Sequence, residues 1–330
     1  MEDTVGAKAN SEVMSSPSPL VSILMPAYNA EKFISEAINS ILSQDYSHWE
    51  LLILNDASTD STQVIIDGFE DNRIQVYHHS ENQGYLTSCN ELLDKSKGDF
   101  ITFLDADDMC PITCIGNCLN EFEKNSKLDF LTTGYSRIQK SGELLSTHLA
   151  NISFKRYSED ARYNPTVCCA TIFLKRELLL KVGGYRPFFK EIGGEDYYWL
   201  WELSRTGKGL HLTQSLYDYR FHTEQTSATH QDDLGLFLPE ILEQLRTEFS
   251  KSVWEQSKAD LIKEVVQELY VQSQFQLYLR KGQRSINRAD SLFWENVFCC
   301  FTQIRKPKEL GSFLYLIYSW GVKNLRNVAP

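Results

Sequence analysis

From residue 20 to 104 the sequence alternates short apolar runs with longer segments of helical period, and each apolar run stops on a polar cluster. Strands are expected at 20–25, 49–54, 74–78 and 100–104, and helices at 31–42, 61–69 and 84–96. Alternation of this kind builds βαβ units and a mostly parallel sheet covered by helices, so the fold class is α/β. In such a sheet the carboxyl ends of the strands share one edge, which is where ligands bind. Three polar strand ends therefore converge on one crevice: Pro26-Ala27-Tyr28-Asn29, Asn55-Asp56-Ala57-Ser58 and Asp105-Ala106-Asp107-Asp108.

The last cluster is the most informative. Residues 100–104 are apolar and end abruptly in three carboxylates within four positions. Like charges this close repel, so they need a compensating cation or wide exposure. A hard divalent ion that also carries substrate phosphates would compensate them. Taken alone, a solvated acidic turn accounts for the same residues.

Past residue 129 the pattern is mixed, with strand-like runs at 130–135, 171–175 and 216–221 and a helical pattern at 196–204. Beyond 231 the chain reads as helical, notably at 234–247, 252–280 and 286–303. Three regions follow: a polar, Ser/Pro-rich lead-in at 1–19 expected to be disordered, an α/β region at 20–230, and a helical region at 231–330.

The net charge of −11 argues against nucleic acid as a partner. Residues 280–330 run the other way, with nine Lys/Arg against three Asp/Glu, interleaved with aromatics such as Phe293, Trp294, Tyr318 and Trp320. Two readings stand for them. One is contact with an anionic membrane surface; the other is a lid or homodimer interface with solvated basic residues. The eight cysteines form no C-x-x-C pair, so free, mostly buried thiols in a reducing compartment are expected. Cys110, Cys114 and Cys118 recur every four residues, which on a helix shares one face. With no signal-peptide core and no run of about 20 apolar residues, the expected place is the cytoplasm, free or peripheral on the cytosolic face of a membrane.

No G-x-G-x-x-G or P-loop follows the first strand, and Pro26 offers no amide to a phosphate. Phosphate is then expected on a metal. Five segments in order, V-S-I-L-M-P-A-Y-N (21–29), L-N-D-A-S-T-D-S-T (54–62), E-N-Q-G (81–84), G-D-F-I-T-F-L-D-A-D-D (98–108) and G-G-E-D-Y (193–197), resemble the inverting, GT-A-fold glycosyltransferases of family 2. The resemblance covers about residues 20–230.

The resemblance implies a metal-dependent transfer of one sugar from a nucleotide-sugar, a UDP-sugar first, to a glycan or lipid-linked hydroxyl acceptor in cell-surface polysaccharide or glycolipid assembly. It puts Pro26, Ala27, Tyr28, Asn29, Asp56, Asn82, Gly84, Asp105, Ala106 and Arg220 on the nucleotide-sugar. Tyr28 would pack on the base or ribose and Asp56 would accept from the base N3–H. Asp107, with Asp105 and His222, would hold the metal, Mn2+ or Mg2+; His222 is also readable as structural. Asp196 would be the general base, with Glu195 beside it, although both also suit a helix N-terminus. Ser58 and Asp60 are the expected caps of the helix at 61–69. Two departures stand out. Ala57 occupies a position where the family often has glycine, and Cys89 one where an arginine is common; Arg220 is the candidate to replace that charge. The rival functions are a sugar nucleotidyltransferase, which would show a Gly-rich basic loop after the first strand, and a non-catalytic nucleotide-sugar-binding module, which would have lost Asp107 or Asp196. A processive synthase would carry Q-x-x-R-W and membrane spans, and neither is present.

Overall fold

The structure, a computed structural model, describes residues 18–159, 167–189 and 195–222. The expected lead-in and the helical region beyond 231 lie outside those residues, apart from Ser18 and Pro19.

The first half is a parallel sheet wound as the alternation requires. Strand β1 (Val21–Ala27) lies between β2 (Trp49–Asn55) and β4 (Phe100–Phe103), and β3 (Ile74–His78) closes the edge beyond β2. The crossovers are helices α1 (Ile34–Leu42), α2 (Thr62–Asp67) and α3 (Tyr85–Lys95). Strand side chains alternate between faces, and the apolar runs split accordingly. Val21, Ile23, Met25, Leu51 and Ile53 join one apolar layer, with Ile34, Ala37, Ile38 and Ile41 of α1. Leu24, Leu52, Leu54, Ile101 and Phe103 join the other, with Leu86, Cys89, Leu92 and Leu93 of α3. Both faces are buried, which is why these strands read as near-continuous apolar runs.

The second half departs from parallel order. Helix α4 (Cys114–Lys124) packs with the α1 layer through Ile115, Cys118, Leu119 and Phe122. Strand β5 (Phe130–Ile138) is flanked by β6 (Leu144–His148) and β7 (Phe173–Lys175), both antiparallel to it, and by β8 (Gly209–Arg220), parallel to it. Strand β7 also runs antiparallel to β4 and so joins the two halves. Helices α5 (Phe154–Glu159), α6 (Arg176–Val182) and α7 (Glu195–Thr206) cover the layer that holds α3. Helix α7 is buried from Tyr198 to Ser204. Its Trp199 Nε1 donates to the Gly183 carbonyl at 2.8 Å, and its buried Glu202 takes a forked ion pair from Arg186 at 2.6 and 3.1 Å.

The expected strands and helices of the first half are all present, with shifted ends. Strand β1 runs on through Pro26, where it is still paired with β2 but its β4 side is open, because β4 pairs only with Val21–Leu24; a proline is tolerated where the ladder on one side has ended. Helix α1 starts at Ile34 rather than 31, because residues 31–33 form a turn tied to the next loop: Glu31 N donates to Asp60 Oδ2 and Ser61 N donates to Glu31 Oε2. Asp60 does meet the start of α2, accepting from Thr62 N at 2.9 Å. Ser58 does not cap it; its hydroxyl accepts from Asn29 N instead, which stitches the β1 and β2 ends together. Strand β8 is twice the expected length. The six described cysteines are free.

The β2 end carries backbone strain. Ala57 has φ 56°, in the left-handed region that glycine enters without cost. Ala57→Gly should therefore raise unfolding stability by roughly 0.5–1 kcal/mol and Ala57→Val should lower it. Urea denaturation of the two variants checks the sign; a less stable glycine variant would remove the strain argument.

Candidate active site

Parallel pairing of β2, β1 and β4 brings Asp56, Asn29 and Asp105 to one sheet edge. At the β1 end, Asn29 adopts φ 50° and its Oδ1 accepts from Thr59 N at 2.8 Å, so this loop is locked to the β2 loop. Pro26 and Ala27 are buried within β1, and Tyr28 stands half-exposed at the rim.

Asp56 is buried and takes three donors. Its Oδ1 accepts from Gln83 N at 2.8 Å and meets His79 Nδ1 at 2.6 Å, and its Oδ2 accepts from Gly84 N at 2.8 Å. Gly84 reaches it with φ 90°, a backbone conformation open to glycine, and Tyr85 then begins α3. A carboxylate offers about four acceptor positions, so one remains on Asp56 for an incoming N–H. Asn82 is exposed on the same loop.

The acid turn after β4 separates its three carboxylates by role. Asp108 is buried: Oδ1 accepts from Arg220 N at 2.7 Å and Oδ2 from the Tyr217 hydroxyl at 2.7 Å. Asp107 stays partly open, with Oδ2 2.9 Å from His222 Nε2. Asp105 Oδ1 accepts from the Tyr85 hydroxyl at 3.0 Å. Burial, then the neighbouring charge of Asp107, pushes Asp105 up to about 7, and the charge of Asp196 adds to the rise. Ala106 is buried beneath the turn.

Arg220 is fully buried under that turn. Its Nε donates to the Asp107 carbonyl at 2.9 Å, Nη1 to the Lys140 carbonyl at 2.6 Å and Nη2 to Glu36 at 2.7 Å. Its place in this structure is to hold the acid turn from below, in contact with the backbone of Asp107. The ring of His222 packs against Phe33 at 4.9 Å.

Glu195 and Asp196 form the first turn of α7, where the helix dipole favours carboxylates. Asp196 Oδ1 accepts from Tyr197 N at 2.7 Å, and the Cys169 thiol is hydrogen-bonded to the same carboxylate. Burial nevertheless raises its pKa. Cys89 lies on α3 with its thiol pushed well up, first by burial and then by the charge of Asp105. It brings no positive charge to the crevice.

The donor set of the acid turn suits a hard divalent ion. Such an ion keeps several waters, shares oxygens with substrate phosphates and needs one or two protein carboxylates. Asp107 and Asp105 would supply those, and His222 abuts Asp107. Among the described residues no three His, Cys, Asp or Glu side chains enclose a metal position by themselves.

This arrangement has relatives. The sequence pattern of the family described as glycosyl transferase family 2 matches residues 22–183. A glucosyltransferase of Escherichia coli, UDP-Glc:alpha-D-GlcNAc-diphosphoundecaprenol beta-1,3-glucosyltransferase WfgD, is 34% identical over 55% of this chain and 68% of its own. The chain belongs to glycosyl transferase family 2. TuaG of Bacillus subtilis, named for teichuronic acid biosynthesis, is 34% identical over 50% of this chain, which spans 65% of TuaG, just under two thirds. The fold is that of S. aureus TarS 1-349 in complex with UDP-GlcNAc, with TM-score 0.58 at 17% identity over 86% of this chain and 88% of that one. The family supports the GT-A fold and the glycosyltransferase class expected from the five motifs. No helix among the described residues is long and apolar enough to cross a membrane.

Sequence reasoning missed His79, Tyr85, Tyr217 and Glu36. They lie in no motif, and each meets its partner only through the fold. Asp108→Ala should cost about 3 kcal/mol, because it leaves a buried amide and a buried hydroxyl unpaired. Asp107→Ala should cost under about 1 kcal/mol and abolish Mn2+-dependent UDP binding instead. Equilibrium unfolding and calorimetric titration of the two variants separate these outcomes; equal destabilisation would contradict the division of roles.

Proposed function

We propose that this protein transfers one sugar from a nucleoside-diphosphate sugar, a UDP-sugar first, to a hydroxyl of a glycan or lipid-linked acceptor, with inversion at the anomeric carbon. The observation that carries this reading is the convergence of Asp56, Asn29 and the acid turn at Asp105–Asp108 on one sheet edge in a chain of glycosyl transferase family 2. The acid turn suits a metal-bound diphosphate, and Asp196 in the first turn of α7 suits the base that takes a proton. The naming of TuaG for teichuronic acid and of WfgD for an undecaprenol-linked acceptor supports polysaccharide or glycolipid assembly.

In this reading Asp56 accepts from the base, while Tyr28 and the loop at Asn82 and Gly84 border it. Asp105, Asp107 and His222 would hold Mn2+ or Mg2+ at the diphosphate, and Arg220 acts as a positioning residue beneath them. When bound, the cation supplies Lewis-acid neutralisation of the leaving diphosphate. Asp196 takes the proton of the acceptor hydroxyl while that oxygen bonds to the anomeric carbon and the bond to the diphosphate oxygen breaks. Asp196 ends protonated, and the sugar passes through an oxocarbenium-like state. A single displacement with one base inverts the centre, so no covalent nucleophile is needed. The raised pKa of Asp196 makes it a stronger base than an exposed carboxylate.

Asp196 must be ionised to act. Turnover should therefore fall as pH drops through its raised pKa, at a midpoint above the ordinary value of about 3.9. Asp196→Asn should keep UDP binding and lose transfer by roughly 10²–10⁴-fold. The test is a thermal-shift screen of UDP-, GDP- and dTDP-sugars with and without Mn2+, followed by UDP-release assays on the variant. Full turnover in Asp196→Asn would remove the base assignment, and no stabilisation by any nucleotide with metal would remove the reading.

A further inference from the structure

His79 stands one residue beyond β3, outside every motif that points to the family. Its backbone N donates to the Asn55 carbonyl at 3.0 Å, which fixes it beside the end of β2. Its ring is almost wholly buried between two carboxylates: Nδ1 lies 2.6 Å from Asp56 Oδ1, and Nε2 lies 2.9 Å from Glu91 Oε2 on α3. A neutral imidazole carries one N–H. It can donate to only one of these oxygens and would present a lone pair to the other. Only the imidazolium, with two donors, satisfies both.

The charged surroundings are consistent with that state. Asp56 faces the ring from β2 and Glu91 from α3. Lys95 lies 3.3 Å from the second oxygen of Glu91, and the adjoining His78 pairs away from the ring with Asp67. Burial opposes the charge on His79, the two carboxylates favour it, and its pKa is raised.

We propose that His79 is the positioning residue of the nucleobase subsite: as a buried cation bridging β2 to α3, it fixes the Asp56 carboxylate and, through it, the Gln83–Gly84 amides. This rests on the reading of Asp56 as the acceptor for the base. With Nδ1, Gln83 N and Gly84 N on three of its acceptor positions, Asp56 is left one orientation and one acceptor for a nucleobase N–H. Without the bridge the Asp56 carboxylate keeps its two amide donors but loses its buried counter-cation, and the side-chain tie from residue 79 to Glu91 of α3 is gone.

The sign of the pH dependence follows. The folded pKa of His79 is raised, so the bridge is complete below the ordinary histidine value of about 6.5 and is lost as pH rises through the higher folded value. Nucleotide affinity should fall over the same window.

The test is calorimetric titration of UDP with Mn2+ into the full chain from pH 6 to 9, using wild type, His79→Gln, His79→Lys and Asp56→Asn. A lysine keeps a multi-donor cation but stays charged across this range, so the ratio of wild-type to His79→Lys dissociation constants cancels the titration of UDP and metal. That ratio should rise about tenfold from pH 6 to 9. His79→Gln should bind about tenfold more weakly than wild type at pH 6 and show no such rise. A flat ratio together with unchanged affinity in His79→Gln, while Asp56→Asn still loses binding, overturns the role of His79 and leaves the nucleotide reading intact. Wild-type affinity in Asp56→Asn, or no binding of UDP to the wild type, overturns that reading and the proposal with it. Should His79→Gln unfold, the wild-type to His79→Lys ratio decides alone.

Discussion

The crevice depends on one buried carboxylate. Asp108 takes the Arg220 amide and the Tyr217 hydroxyl, and so clamps the end of β8 under the turn that follows β4. Two backbone hydrogen bonds between Met109 and Asp218, at 3.0 and 2.9 Å, close the same junction. Burying a carboxylate costs several kcal/mol unless its oxygens are satisfied, and here both are. The result is a turn of three acids in which one faces inward and is structural. Asp105 and Asp107 are thereby left at the surface of the crevice. Arg220, delivered to the spot by β8, then ties that turn to the loop at Lys140 and to Glu36 of α1. A chain segment more than 100 residues later thus completes what the short β4 begins.

That division explains what the sequence could reveal. Strands β1, β2 and β4 were legible because both of their faces are buried, so their runs are nearly all apolar and end sharply, whereas the edge strand β3 is only half-buried. Strand β8 was only half legible: its first part carries His211, Thr213 and Gln214, polar residues that a local reading assigns to a loop. Its pairing with β5 shifts register between Thr133 and Ser136, a feature set by tertiary contact alone. Strand β6 was not foreseen because Leu144 and Leu145 are exposed and show no alternation. Helix α4 left only the four-residue cysteine spacing as a trace. At the site, the carboxylates announced themselves by density, whereas Tyr217, Glu36 and His79 gave no local sign. Their partners lie 109, 184 and 23 residues away.

The two sides of the crevice are built differently. The side formed by β1 and β2 is stitched by side chain to backbone bonds: Asn29 to Thr59, Ser58 to Asn29, Glu31 to Ser61 and Asp60 to Glu31. Each bond satisfies a loop amide, and together they leave the strand ends little freedom. The strained Ala57 fits this picture, since a left-handed alanine persists only where its surroundings over-determine it. The α7 side is held instead by packing. Trp199 and the Arg186–Glu202 fork anchor the helix to the loop at 183–186, and both heads of Asn90 grip the Tyr185 backbone at 2.8 Å.

The remaining question is how so many carboxylates share one crevice. Arg220 is the cation expected to stand in for the arginine that Cys89 replaces, but its guanidinium is turned into the protein, and Cys89 stays a neutral thiol. His79 lies at the base end, where its charge is matched by Asp56 and Glu91. At the acid turn itself, His222 meets Asp107 and the Tyr85 hydroxyl meets Asp105. The strain is visible in Asp105, held near 7 by burial and by the charge of Asp107. A site in that condition gains most from a ligand that brings positive charge among the oxygens. The sequence departure at Cys89 thus leaves the charge balance of the crevice on the side of its carboxylates.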